Sequence, residues 1–156
     1  MKNKSNQNGG LVNQLINQYN MKNNKIITII SAIVLALFAL LTLYLSSSVI
    51  FDWFGIRAKE GNYVLFIVWA NFISSILYLI AVYGFIKRTK WTFWVLIAAL
   101  VILIVAFIAL QFYVNNGGIY EEKTIKAMIF RMLLTLAFSL IALLKFNKLL
   151  WGKQSF

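Results

Sequence analysis

The residues able to do chemistry in this chain are few, and what is missing limits them first. It contains no histidine and no cysteine. Imidazole bases, thiolate nucleophiles, disulfides, haem ligation through His or Cys and Cys/His zinc sites are therefore absent. The carboxylates are Asp52, Glu60, Glu121 and Glu122, and no glycine-rich phosphate loop accompanies them. With no nucleophile-and-base set to assemble, the residue types point away from an enzyme and call for no cofactor and no metal. Carboxylates acting alone on lipid-linked or sugar substrates are the remaining enzymatic option.

The other polar candidates lie inside apolar runs. Asn71, Ser75 and Tyr78 recur at i, i+4 and i+7, with Ser74 alongside, so on a helix they share one face. Gln111 and Arg131 are further candidates in the third and fourth runs. In hydrocarbon a polar face turns toward other helices, where a hydrogen bond contributes about 0.6 kcal/mol on average. The face reads either as packing glue or as the lining of a ligand or ion path. Arg131 either snorkels to the headgroups or pairs with Asp52 or Glu60 from "SSSVIFDWFGIRAKEGNYV".

These residues need elements to hold them, and composition identifies the elements. Of 156 residues 62% are hydrophobic and 12% charged, with mean hydropathy +0.81. Soluble domains run near 45–50% apolar and about 25% charged. Four apolar runs, about 26–50, 63–86, 91–114 and 127–145, match the roughly 17–25 residues a transmembrane helix needs. Stretches such as "VLIAALVILIVAFIAL" are apolar all round, which suits helices and not the alternating strands of a barrel. No proline interrupts them. The expected fold is all-α, a membrane bundle of four transmembrane helices over 25–148, with a tail at 149–156.

The first run is too long for a secretory signal and reads as a retained helix. Residues 1–24 hold eight asparagines and read as a flexible tail. Leu11, Val12, Leu15, Ile16 and Tyr19 also allow a short interfacial helix there. Met21 would serve equally as a start.

Charge sets the expected orientation. Ten bases (Lys2, Lys4, Lys22, Lys25, Lys87, Arg88, Lys90, Lys145, Lys148, Lys153) flank the runs on one side without an acid. The other side holds Arg57, Lys59, Lys123, Lys126, Arg131 and all four acids. Positively charged short loops stay in the cytoplasm, so both termini are expected inside. The net charge of +11 then needs lipid and no nucleic acid. Trp91, Trp94 and Trp151 fall at the inner interface and Trp53, Tyr63, Tyr113 and Tyr120 at the outer one. Glu122 should open the fourth helix and pair with Lys126 at i+4.

At "FDWFGIRAKEGNYVLFIVWANF" the chain resembles small four-span proteins of Bacteroidota, over roughly residues 26–145. The resemblance implies the four-span topology and a bacterial inner membrane; it brings no activity and no site residues. Two functional classes remain. One is a non-enzymatic accessory or scaffold subunit that packs against a larger membrane complex. The other is an oligomeric transporter or channel with Asn71, Gln111 and Arg131 along the route. A conduit needs these side chains wet at mid-membrane, and a scaffold needs them buried.

Overall fold

A computed structural model describes residues 2–59 and 61–151. Four long helices dominate: α1 (Lys2–Ile50), α3 (Leu65–Lys87), α4 (Trp91–Asn115) and α5 (Glu122–Trp151), with a single-turn α2 (Ile56–Lys59) between the first two. Gly10–Ile50, Leu65–Lys87, Trp91–Asn115 and Glu122–Lys145 are each long and apolar enough to cross a bilayer. The helices run up and down in turn. The connections at 51–64 and 116–121 lie at one end, the loop end; the short α3–α4 connector lies at the other, where α1 begins and α5 finishes.

α1 packs on α3, α3 on α4 and α4 on α5, while α1 and α5 meet only sparsely. Each interface follows a seam of alternating steps of three and four residues. On α4 the buried positions are Thr92, Leu96, Ala99, Leu103, Ala106 and Leu110. With the same rhythm α3 buries Ile67, Asn71, Ser74, Tyr78, Ala81 and Phe85. α1 buries Thr28, Ala32, Leu35, Ala39, Thr42, Ser46 and Val49 with the same rhythm. Such spacing averages 3.5 residues and keeps one stripe against its neighbour, as in a left-handed bundle. Alanine and serine along the stripes let backbones approach, which is how helices associate where lipid is as apolar as leucine. Leucines on α4 alternate with alanines, so large side chains fill the space that small ones leave.

α3 and α4 approach closely at Gly84 of α3. A Cβ there would collide with the Thr92 Oγ1 of α4. The turn between the two helices is closed by Thr89, whose N–H donates to the Gly84 carbonyl at 3.0 Å. The Thr92 hydroxyl donates to the Thr89 carbonyl at 2.7 Å. Glycine is thus required at position 84 for space and not for backbone conformation.

At the loop end, Gly55 (φ 66°) and Gly61 (φ 63°) turn the chain back after α1. Asp52 (φ 50°) and Phe54 (φ 55°) also adopt left-handed backbone, a conformation costing a residue with a Cβ roughly 1–2 kcal/mol. Gly61 sits against the Glu121 carboxylate, which ties the first connection to the third. Glu121 holds Lys123 at 2.7 Å, and Glu122 opens α5 with Lys126 at 3.7 Å, an exposed i,i+4 pair as expected.

Two boundaries differ from those read in the sequence. α1 continues without a break from Lys2, with Leu11, Val12, Leu15, Ile16 and Tyr19 exposed along it. α5, which opens at Glu122 as expected, runs on to Trp151, past the span read as ending near 145. Neither extension contains a proline to stop a helix that apolar residues have already nucleated.

Candidate functional site

The polar residues of α3 are turned inward. Asn71, Ser74, Ser75 and Tyr78 are all buried. They do not act alike. The Ser75 hydroxyl donates to the Phe72 carbonyl of its own helix at 2.6 Å, so it ties no helices together. Tyr78 does, through its contact with Thr135 of α5 at 2.5 Å. The single hydroxyl proton of Thr135 is committed to the Arg131 carbonyl at 2.7 Å, so the Tyr78 phenol is the donor. One turn further on, Ser139 donates to the Thr135 carbonyl at 2.8 Å.

This relay lies at the level where three helices converge. Phe38 of α1 meets the Tyr78 ring at 5.8 Å and Phe130 of α5 at 6.3 Å. Phe38, Tyr78 and Thr135 together form a layer across α1, α3 and α5. Above it, toward the loop end, the sparse α1–α5 seam leaves a cleft of about 260 Å³. Ser46 and Val49 of α1, Val64 and Asn71 of α3, and Lys123 and Arg131 of α5 line it.

The cleft is blind and cationic. Its floor is the aromatic layer, because Phe38, Tyr78 and Thr135 each lie one or two turns deeper than the lining residues of their own helices. Among the described residues its lining includes two bases and no carboxylate. Lys123, near the mouth, is held by Glu121. Arg131 is half-buried and nine residues into α5, about 13 Å along the axis from Glu122. No acid among the described residues pairs with it. Asn71 Oδ1 and Ser74 Oγ are buried with no hydrogen-bond partner, which for a buried oxygen is costly.

No protein-family model, no curated protein and no solved structure matches this chain.

The sequence candidates therefore separate. Asn71 and Arg131 share the cleft, with Ser74 and Tyr78 next to them on the buried stripe of α3. Asp52 is exposed on the loop and does not line the cleft. Gln111 is half-buried near the end of α4 and does not line it either. Glu60, the other acid considered for Arg131, lies outside the described residues. Thr135 and Ser139 went unnoticed in the sequence, although both fall on the α5 stripe that runs from Met128 to Ala142. A threonine in a leucine-rich run carries no signal alone; its spacing from Arg131 and Met128 does.

Proposed function

We propose that this chain is a four-span protein of a bacterial inner membrane, with both termini cytoplasmic, acting without catalysis as an accessory or scaffold subunit. Its blind cleft receives an acidic group from a partner membrane subunit. The observation that carries this reading is Arg131, a cation on the wall of a cleft whose described lining offers it no carboxylate. A charge at the middle of a transmembrane helix costs about 2.5–3.5 kcal/mol on insertion scales. An acid supplied by a neighbouring helix offsets that cost and makes assembly depend on one residue. Snorkelling offers less here, since the Arg131 backbone lies about 13 Å along α5 from Glu122. A conduit reading loses support from the filled interior, where Tyr78, Phe85, Leu96, Leu103, Leu110 and Met128 are fully buried.

Orientation rests on the split of bases and on the aromatic rings. Tyr44, Phe51 and Trp53 cluster at the loop end, with ring centroids 6.2–6.3 Å apart, and Tyr83 meets Trp91 at the other end at 6.4 Å. Two belts of amphipathic rings mark two interfaces. Because no native cysteine exists, Lys59→Cys and Lys90→Cys report sidedness directly. An impermeant maleimide on intact cells should label the first and not the second, and the reverse pattern would overturn the topology.

Assembly has its own test. On native gels in mild detergent the parent should migrate as a complex with a stoichiometric partner. Arg131→Ala should shift it to the mass of the free chain while leaving its expression and helicity intact. Arg131→Lys should retain only part of the complex, because an ammonium lacks the bidentate fork. An unchanged complex in Arg131→Ala removes this reading, and solute flux from proteoliposomes that Arg131→Ala abolishes would replace it with transport.

A further inference from the structure

At the opposite end of the bundle lies a larger groove, independent of the Arg131 cleft. It measures about 660 Å³ between α1 and α3. Ala32 and Ala36, one turn apart on α1, carve its floor, and Phe85 of α3 closes its back. Ile33 and Ile86 form its rim and are exposed on the outside of the bundle, so the groove opens sideways where acyl chains would lie. Its mouth holds two cations, Lys25 from α1 and Arg88 from the α3–α4 turn.

Arg88 occupies a position that ordinarily belongs to glycine. It ends α3 with left-handed backbone, φ 53°. Its N–H donates to the Phe85 carbonyl at 3.2 Å, and the Thr89 N–H donates to the Gly84 carbonyl at 3.0 Å. That pair of bonds is the Schellman closure, in which glycine avoids the Cβ penalty. Arginine accepts the penalty and places a guanidinium at the groove.

We propose that this groove is a binding site for an anionic phospholipid, its phosphate held between Lys25 and Arg88 and one acyl chain lying along Ala32 and Ala36. The shape suits an amphiphile with a negative head, because a cationic mouth at the membrane surface continues into an apolar trough open to the bilayer. Charge favours it further. Lys22 and Lys87 flank the mouth in sequence, and Asp52, Glu121 and Glu122 belong to the other end. A soluble acidic peptide would match the cations and leave the trough unfilled.

The test is lipid retention measured by native mass spectrometry on the full chain in detergent, titrated with phosphatidylglycerol or phosphatidylcholine. Phosphatidylglycerol should be retained about tenfold better than phosphatidylcholine. Arg88→Gly separates binding from structure: it removes the guanidinium and relieves the left-handed backbone, so thermal stability should hold or rise while the preference for phosphatidylglycerol falls several-fold. Ala36→Phe, which fills the trough and leaves both cations, should expel both lipids. Lys90→Ala, a cation outside the groove, should leave retention unchanged. Equal retention of the two lipids, or a loss in Lys90→Ala as large as that in Arg88→Gly, would overturn the site and leave only a general attraction of basic residues to the membrane. Retention unaffected by Ala36→Phe would likewise remove the trough from the site.

Discussion

Gly84→Ala should lower the stability of the bundle by about 1–3 kcal/mol, a large effect for one methyl group, and Gly84→Leu should prevent α3 and α4 from closing. Elsewhere in a helix the same change to alanine is favourable, by roughly 0.5–1 kcal/mol. The sign reverses here because the new Cβ would occupy the space of the Thr92 side chain. Thr92 cannot swing aside cheaply: it is fully buried and its hydroxyl is bound to the Thr89 carbonyl. Gly10→Ala is the matched control, a helical glycine with open space where its Cβ would go. It should be neutral or stabilising. Thermal unfolding in detergent, followed by circular dichroism, reads all three. Adding Thr92→Ala to Gly84→Ala should recover part of the loss, since the hydroxyl oxygen is the nearest obstacle. A Gly84→Ala variant as stable as the parent would mean that α3 and α4 do not approach this closely.

That contact marks the boundary between what can be read from the chain and what cannot. The existence and number of the helices follow from apolar runs of sufficient length with no proline, and α4 spans Trp91–Asn115, within one residue of the run. Their facing is another matter. Helices apolar on every side have no amphipathic contrast to show which stripe is buried. The contrast that remains is size: Leu96, Ala99, Leu103, Ala106 and Leu110 alternate large and small at seam spacing, and Gly84 and Thr92 complete the pattern. Polar residues were partly legible for the same reason. Asn71, Ser74 and Tyr78 stood out on α3 because they share a face. Thr135 did not, because its role depends on a partner 57 residues away. The Asp52–Arg131 pairing was a matter of distance between loop and helix, which no local pattern encodes.

The Tyr78 relay should show the second large effect. Tyr78→Ala removes the ring on which Phe38 rests and leaves a void in a fully buried site; about 3–5 kcal/mol should be lost, as for other buried aromatics. Tyr78→Phe keeps the ring and removes only the donated hydrogen bond. Its cost should be about 0.6 kcal/mol, the average for such bonds between membrane helices. Thr135→Val should cost more, about 1–3 kcal/mol, because the Tyr78 hydroxyl is then buried without an acceptor. Combining Tyr78→Phe with Thr135→Val removes both partners and should recover part of that loss, a coupling that additive effects would rule out. Ser74→Ala supplies the contrast on the same helix. Its hydroxyl has no partner, so removing it should leave stability equal or higher, and a clear loss would mean that the hydroxyl is satisfied in the membrane by something the bundle alone does not provide. In that case the binding cleft would extend from Asn71 down to Ser74, and the acidic group it receives would reach deeper than Arg131 alone requires.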